Sequence, residues 1–308
     1  MNNKIHIALA TDDNYVYFAL IVLTSIVLNH SDGTPIVVHI LTGGLQAEQA
    51  SRFEVFSKYG MEIDILTIDI DRFSKRWNTA RPTYFRLELP ELLPTVSRVI
   101  YLDCDVVVLD EISKLWKLDL HGHPLGAIGD RVGLDPARNM NLPPERYFNA
   151  GVLLLDLERM REQNAVEKCN DLWIRHRSEI KVADQGLLNK CFCDDMELLP
   201  QKWNIINSVY RNPPVPGMYT AEEVTEAIRH PGIVHFTGAH KPWLLLKRFH
   251  HPYAYTFCQY ARRAPIPRSK KIKYWLKQYL NGFFIDSKKQ RPWKRSDIVK
   301  FPMPPELE

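Results

Sequence analysis

The amino-acid sequence predicts an α/β fold built around one mostly parallel sheet. Strand-like runs alternate with helix-like segments over the first hundred residues, and that order is typical of parallel α/β sheets. The strand-like runs are almost continuously apolar, as expected for strands that are covered on both faces. With 308 residues, of which 45% are hydrophobic, the chain can bury a large core, and wholesale disorder is excluded.

Each element follows from its local pattern. Short apolar or β-branched runs predict strands at 5–10, 35–41, 61–68, 98–102, 126–129, 148–156 and 232–236. Periodic patterns predict helices at 15–29, 45–59, 83–93, 184–192 and 270–284, and another that follows the 148–156 strand and ends near residue 175. A polar, proline-containing segment predicts a loop at 131–146.

The longest apolar stretch, residues 15–28, is too short to cross a membrane, because a spanning helix needs about 20 apolar residues. Asp12 and Asp13 precede it, where a signal peptide would carry basic residues. We therefore interpret it as a buried helix. The five cysteines are odd in number and scattered, which together with the missing signal predicts reduced thiols in a cytosol.

The net charge of +4 hides a strong asymmetry. Residues 262–308 hold 13 Lys and Arg against 4 Asp and Glu, a net of +9, so residues 1–261 carry a net of −5. An acidic body argues against nucleic acid as a partner. Within the tail, residues 270–284 predict a basic amphipathic helix. Its aromatic, apolar face holds Ile272, Trp275, Leu276, Tyr279, Leu280 and Phe283. We expect this tail to bind a membrane surface; the alternative is a helix docked on the body.

The motif Asp103-Cys104-Asp105 follows a predicted strand, at the end where α/β sheets bind ligands. Two carboxylates in the loop beyond a strand can converge on one divalent cation, and Mg²⁺ or Mn²⁺ carrying phosphates suits such oxygen ligands. Two alternatives stay open. The aspartates could be solvated or capping residues, or the segment 103–107 could belong to a phosphatase with an aspartyl nucleophile. Against the phosphatase, three strand–helix units precede the motif, and Asp194-Asp195 is a poor candidate for its terminal acidic pair.

A second cluster, residues 235–243, follows the last predicted strand. His235 could supply an imidazole to the same metal, Gly238 lets backbone approach a phosphate, and Lys241 offers a point charge. Together with the two aspartates, these residues predict a clamp for a metal–diphosphate, which is the leaving group of a nucleotide sugar.

The motifs in order resemble glycosyltransferase family 8, whose members are retaining enzymes that use UDP-sugars. The resemblance covers about residues 5–260 and rests on A-T-D-D-N-Y at 10–15, T-Y-F-R at 83–86, D-C-D at 103–105, F-N-A-G-V at 148–152, A-D-Q at 183–185 and H-F-T-G-x-x-K-P-W at 235–243. It is most similar to the bacterial lipopolysaccharide and lipooligosaccharide galactosyl- and glucosyltransferases. The resemblance implies one Rossmann-like nucleotide-sugar-binding domain of GT-A type over 1–261, with the basic helical tail at 262–308.

The resemblance also implies roles for individual residues. It places Mn²⁺, with Mg²⁺ as the alternative, on Asp103, Asp105 and His235. It implies a uridine site at Ala10, Asp12, Asn14 and Tyr15, diphosphate contacts at Gly238 and Lys241, and a donor-sugar pocket of Arg86, Asn149, Ala150, Asp184 and Gln185 with Asp130 beside the reacting centre.

Some of these residues have structural alternatives. Arg86 could form an ion pair, Asp184 could cap a helix, and Tyr15 could belong to the core. Asn149, inside an apolar strand, is costly unless its amide is hydrogen-bonded, which favours a role in a site.

Retention of configuration requires either a carboxylate nucleophile and double displacement, or front-side attack assisted by the leaving phosphate. Gln185 occupies the nucleophile position that the family implies, and an amide is a poor nucleophile. We therefore favour front-side substitution, with Asp130 or Asp184 as a transient nucleophile as the alternative.

The sequence thus predicts a UDP-galactose or UDP-glucose transferase that acts on a lipid-linked oligosaccharide at the cytoplasmic face of a bacterial inner membrane. Two other classes stay open, a metal-dependent phosphohydrolase and a non-catalytic protein that binds sugar nucleotides.

Overall fold

A computed structural model describes residues 4–130, 134–180, 182–210, 215–238, 241–244 and 253–284. In this part of the chain a seven-stranded sheet has the order β3-β2-β1-β4-β7-β6-β8, and β5 and β9 form a separate antiparallel pair. Six strands of the large sheet run in one direction, and β7 alone runs against them. The predicted α/β fold with a mostly parallel sheet is confirmed.

The strands are β1 Ile5–Ala10, β2 Ile36–Thr42, β3 Met61–Thr67, β4 Arg98–Leu102, β5 Val106–Val108, β6 Leu125–Gly129, β7 Phe148–Asp156, β8 Met196–Leu198 and β9 Ile233–His235. The α-helices are α1 Val16–Asn29, α2 Ala47–Ser51, α3 Ile70–Trp77, α4 Leu89–Leu92, α5 Ile112–Trp116, α6 Leu134–Asn139, α7 Leu157–Glu162, α8 Ala165–His176, α9 Ala183–Phe192, α10 Ala221–Arg229, α11 Ala254–Arg263 and α12 Arg268–Phe284. Short 3₁₀ helices span Glu54–Tyr59, Pro82–Glu88, Pro144–Arg146, Gln201–Trp203 and Asn207–Tyr210.

Three predicted elements were wrong in type. The predicted helix at 45–59 is the short α2 followed by a 3₁₀ helix that ends at Gly60 in a left-handed conformation. The predicted helix at 83–93 is a 3₁₀ helix followed by α4, and Pro90 within α4 has no N–H to donate. The predicted loop at 131–146 contains α6 and a 3₁₀ turn.

Helix α1 is buried because it packs between two sheets. Ile5, Ile7 and Leu9 of β1 share a hydrophobic core with it, and β5 and α11 contact it as well. A helix that is covered on every side can be apolar around its whole circumference. The long apolar stretch of α1 therefore reflects burial within the protein. The buried-helix interpretation is confirmed, and among the described residues no helix is both long and apolar enough to span a membrane.

The reversed strand β7 positions the site. Because β7 is antiparallel to β4 and β6, its first residues lie at the edge where β1, β4 and β6 end. Polar residues that begin β7 therefore meet polar residues that follow the other strands. An apolar run carries no signal for strand direction, so this arrangement is not evident in the sequence.

The C-terminal helices continue the body past residue 261. That predicted boundary falls within α11, and Ala264, Ile266 and Tyr274 beyond it are buried. Tyr274 of α12 packs on Phe257 of α11, with ring centroids 5.8 Å apart. The remaining part of the predicted tail, residues 285–308, lies outside the described residues.

Candidate functional site

The predicted site residues lie at one edge of the large sheet. Ala10 ends β1, Asp103 follows β4, and Asp130 follows β6. The Asp103 backbone N–H donates to the Gly151 carbonyl of β7 (2.8 Å), and the Cys104 thiol donates to the Ala10 carbonyl (3.2 Å). The ends of β1 and β4 and the start of β7 thus meet at the point where ligands bind in open α/β sheets.

Asp103, Asp105 and His235 come together as predicted. One ligand atom from each lies within 4.8 Å of the others. The pairing of β5 with β9 brings His235 beside Asp105, so that His235 Nε2 is 2.9 Å from Asp105 Oδ1 and 3.8 Å from Asp103 Oδ2. Two carboxylates and one imidazole form a donor set that suits Mn²⁺.

Gly151 makes room for this donor set. A Cβ at this position would lie 2.7 Å from Asp103 Oδ2 and closer still to the ring of His235. Any larger residue would push apart two of the three candidate ligands. The residues present therefore fit a metal ion, and the space for them depends on Gly151, which the motif F-N-A-G-V contained but sequence reasoning did not single out.

Lys241 lies at the same cluster. Its ammonium bonds the Asp105 carboxylate and donates to the Phe236 carbonyl (2.7 Å). Burial acts to raise the pKa of Asp105, but the neighbouring His235 and Lys241 hold that pKa well below its ordinary value. Asp105 is therefore a carboxylate, and Lys241 is close enough to meet the charge of a phosphate bound beside it.

Arg86 is a buried cation that joins three parts of the site. Its guanidinium is 2.7 Å from Asp103 Oδ1 and 3.2 Å from Asp184 Oδ2, and it bonds the Ala150 carbonyl. It also lies over the Tyr101 ring, 4.2 Å from the centroid. The ion-pair interpretation of Arg86 is thus correct, and the pair is formed with residues of the site itself.

Burial also shapes the charges of this pair. It acts to lower the pKa of Arg86, but the carboxylates of Asp103 and Asp184 raise that pKa above its ordinary value. Burial raises the pKa of Asp184, and Arg86 partly offsets this effect. Arg86 therefore stays protonated, and the two carboxylates depend on it for compensation.

Asn149, Gln185 and Asp130 form a hydrogen-bonded group. The Asn149 amide donates to Gln185 Oε1 (3.0 Å) and to Asp130 Oδ2 (3.4 Å), and the Gln185 amide donates to Asp130 Oδ2 (3.1 Å). The Ala150 N–H donates to Gln185 Oε1 (3.3 Å). The buried Asn149 amide is therefore satisfied, as the sequence required.

The entry to α9 has a strained backbone. Val182, the N-cap residue, has φ 62°, and Ala183 has φ 52°, in the left-handed region that side chains with a Cβ rarely adopt. Asp184 is the second residue of the helix, close to the N-cap but not the N-cap residue itself, so the alternative that it only caps the helix is excluded. The sharp turn instead brings Asp184 and Gln185 into the site, and such strain is concentrated at functional sites.

Asp12, Asn14 and Tyr15 lie in the loop between β1 and α1. Asp12 Oδ1 accepts from the backbone N–H groups of Asn14 (2.9 Å) and Tyr15 (3.1 Å), which holds the loop in shape. Tyr15 is 44% exposed, which excludes the alternative that it belongs to the core. The uridine-binding role of this loop stays a prediction.

Residues of the last motif pack against that loop. Trp243 lies on Phe18, with ring centroids 4.1 Å apart, and Phe18 contacts Tyr15 at 5.2 Å. Gly238 has φ 75°, and a Cβ there would meet no atom within 4 Å. The backbone at Gly238 is thus open to approach, as a diphosphate contact requires.

Asn204 was missed by sequence reasoning. Its side-chain oxygen accepts from His235 Nδ1 (3.1 Å), and its amide donates to Asn149 Oδ1 (2.9 Å). The available signal was one amide residue in the otherwise apolar segment Trp203–Ile206, where a polar group must have a partner.

Two other acidic groups do not join the site. Asp195, a candidate for the acidic pair of a phosphatase, bonds His123 (2.8 Å) and Gln163 (3.1 Å) beyond the far end of α9. A second triad of possible metal ligands joins His30 and Asp32, which lie between α1 and β2, to Glu111, the N-cap residue of α5. The acidic residue that the sequence offered for a phosphohydrolase is thus engaged away from Asp103.

Comparisons with known proteins agree with this geometry. A family model described as glycosyl transferase family 8 matches residues 6–246. General stress protein A of Bacillus subtilis is 29% identical over 265 residues, which cover 83% of this chain and 92% of that protein. Lipopolysaccharide 1,2-glucosyltransferase of Escherichia coli is 28% identical over 253 residues, which cover 78% of this chain and 72% of that protein.

One solved structure is that of the galactosyltransferase LgtC in complex with donor and acceptor sugar analogues. It is 25% identical, with a TM-score of 0.75, over 87% of this chain and 100% of that chain. This similarity confirms the GT-A type of fold that the motifs implied.

The role of Gly151 gives a direct prediction. Gly151→Ala should weaken Mn²⁺-dependent binding of UDP by about 10-fold or more, because the new Cβ displaces His235 and Asp103. The added methyl group should also lower the free energy of unfolding by about 1–3 kcal/mol. Isothermal titration calorimetry with and without Mn²⁺ measures the first effect, and urea denaturation the second.

Gly126→Ala is a matched control, because its Cβ would lie 2.6 Å from the Leu120 side chain, against a cluster of leucine residues. It should lower stability by a similar amount and leave binding unchanged. Equal loss of UDP binding in both variants would show that Gly151 has no special place in the site.

Proposed function

The chain belongs to glycosyltransferase family 8, and on that premise we propose that it transfers galactose or glucose from a UDP-sugar, with retention of configuration, to a lipid-linked oligosaccharide of lipopolysaccharide type. The observation that carries this proposal is the convergence of Asp103, Asp105 and His235 with Lys241 where β1 and β4 end. The names of two similar proteins, a glucosyltransferase and a galactosyltransferase, motivate the choice of sugars.

Asp103, Asp105 and His235 would hold Mn²⁺, with Mg²⁺ as the alternative. The ion would neutralise charge that develops on the departing UDP. Lys241 would leave its contact with Asp105 and pair with the diphosphate, while the open backbone at Gly238 lets the phosphates approach. The loop of Ala10, Asp12, Asn14 and Tyr15 would bind uridine, since the end of β1 adjoins the metal ligands through Cys104.

The donor sugar would lie between Lys241 and the group of Asn149, Gln185 and Asp130. Front-side attack fits this group, because Gln185 Oε1 already accepts two hydrogen bonds and an amide is a poor nucleophile. Asp130 accepts from two amides and Asp184 pairs with Arg86, so both carboxylates are engaged in positioning. The acceptor hydroxyl would give its proton to a phosphate oxygen of the leaving group.

We further propose that the C-terminal helix binds the cytoplasmic face of a bacterial inner membrane. On α12, Ile272, Trp275 and Leu276 are 49%, 48% and 40% exposed, while Tyr274 attaches the helix to the body. The apolar face named by the sequence pattern thus stays exposed over its described part, next to lysines that favour anionic lipid. Its other members, Tyr279, Leu280 and Phe283, lie outside the described side chains.

The transfer activity is tested with a panel of UDP-sugars and Mn²⁺. We expect slow release of UDP from UDP-galactose or UDP-glucose, faster with a lipopolysaccharide-type acceptor. Asp103→Asn and Asp105→Asn should each lower this rate by at least about 100-fold, because each removes a charged metal ligand. Asp156→Asn, at the N-cap of α7, is a control that should lose some stability and keep the rate.

Other outcomes would contradict the proposal. Release of inorganic phosphate from small phosphoesters would indicate a phosphohydrolase. Binding of UDP without turnover of any donor would indicate a non-catalytic protein that binds sugar nucleotides.

Membrane binding is tested by sedimentation with vesicles of phosphatidylethanolamine and phosphatidylglycerol. The double variant Ile272→Ser, Leu276→Ser should bind at least about 10-fold more weakly, because two exposed apolar side chains would no longer enter the bilayer interface. Ile174→Ser removes a side chain of α8 that is 69% exposed and should leave binding unchanged. Undiminished binding of the double variant would contradict the membrane proposal.

A further inference from the structure

We propose that Asn204 is a positioning residue that orients the candidate metal ligand His235 and connects it to the donor-sugar pocket. This inference rests on the proposed function, since it assumes that Asp103, Asp105 and His235 hold a metal ion. Asn204 itself is 1% exposed and lies behind His235 and Asn149, so it acts through these two residues.

The backbone around Asn204 is held firmly. Asn204 follows the 3₁₀ helix Gln201–Trp203, and its carbonyl accepts from the Gln201 side chain (3.3 Å). The next residue, Ile205, runs beside β9: its N–H donates to the Ile233 carbonyl (2.9 Å), and its carbonyl accepts from the His235 N–H (3.0 Å). Asn204 and His235 therefore sit at fixed positions on adjacent extended segments.

On one side, Asn204 sets which nitrogen of His235 is free for a metal ion. The side-chain oxygen of Asn204 can only accept, so the His235 Nδ1 that lies 3.1 Å away must carry a hydrogen. This leaves Nε2, which faces Asp105 and Asp103, as the ligating atom. A hydrogen bond to the other ring nitrogen commonly orients metal-binding histidines in this way.

On the other side, Asn204 sets the direction of the amides in the sugar pocket. Its Nδ2 donates to Asn149 Oδ1 (2.9 Å), which also accepts from the Gly151 N–H (3.0 Å). The Asn149 Nδ2 must then face Gln185 Oε1 and Asp130, and the Gln185 Nε2 must face Asp130.

In this series of hydrogen bonds, each side-chain amide donates in the direction that leads away from His235 and toward the carboxylate of Asp130. Reversing any one amide would set two acceptors or two donors against each other, so the orientations depend on one another. Asn204 thus orients both the candidate metal ligand His235 and the amides that would bind the hydroxyls of the sugar.

Two substitutions separate the two contacts of Asn204. Asn204→Asp keeps an oxygen that accepts from His235 and has nearly the same shape, but it cannot donate to Asn149. The Asn149 amide must then turn around, which sets its oxygen against Gln185 Oε1. Asn204→Ala removes both contacts.

Two readouts follow the two contacts. The Mn²⁺ dependence of UDP affinity reports the metal site, and the gain in affinity of UDP-galactose or UDP-glucose over UDP reports the sugar pocket. For Asn204→Asp we expect Mn²⁺-dependent UDP affinity within about 3-fold of wild type, but loss of the gain from the sugar. For Asn204→Ala we expect the gain from the sugar to be lost as well, and the Mn²⁺-dependent affinity for UDP to be lower by about 10–100-fold.

Asn29→Asp is the matched control. The Asn29 amide donates to the Ser25 carbonyl (2.8 Å), the Val108 carbonyl (3.0 Å) and the Tyr260 hydroxyl (2.8 Å), remote from the site. This control should lower the melting temperature and change neither readout. It therefore separates a merely structural effect from positioning.

The proposal is overturned if Asn204→Asp loses both readouts in the proportion seen for Asn204→Ala, or if Asn204→Ala keeps wild-type Mn²⁺ dependence. Wild-type protein that binds UDP equally well with and without Mn²⁺ would instead overturn the proposed function, and this inference with it.

Discussion

The buried guanidinium of Arg86 is the interaction on which the site depends. A charge removed from water must be paired and hydrogen-bonded, and Arg86 finds its partners on three separate segments, at Asp103 after β4, Ala150 of β7 and Asp184 of α9. Asp103 Oδ1 is occupied by Arg86 and by the Tyr101 hydroxyl (3.2 Å). The other oxygen, Oδ2, is thereby directed toward His235. Arg86 thus connects the three segments at this edge of the sheet and orients the candidate metal ligand Asp103.

The charges of the site are not balanced by the protein alone. If every aspartate is counted as a carboxylate and His235 as neutral, the site has a formal surplus of two negative charges. The charged groups counted are Asp103, Asp105, Asp130 and Asp184 with Arg86 and Lys241. A divalent cation would cancel this surplus, and a diphosphate could then bind with Lys241 as its partner. On the proposed function, the same electrostatic argument would allow an acidic body to hold a nucleotide in one pocket without attracting nucleic acid over its surface.

Much of this arrangement could be predicted from local sequence. The β-branched runs predicted the strands, and the spacing of Asp103 and Asp105 after an apolar strand predicted a cluster of candidate metal ligands, which His235 does join. What could not be predicted depends on contacts between distant segments. The reversed direction of β7, the pairing of Arg86 with Asp184, and the space at Gly151 leave no periodic signal. Asn204 was missed because its function exists only through His235 and Asn149, which are remote in sequence.

Asp103, Asp105 and His235 are proposed to hold a divalent cation beside a nucleotide diphosphate. Crystals grown with Mn²⁺ and UDP, measured with X-rays at the manganese absorption edge, would locate that cation. We expect an anomalous peak bounded by these three side chains, with Lys241 turned from Asp105 to the diphosphate. Bound UDP with no such peak, or a peak at His30, Asp32 and Glu111 instead, would contradict it.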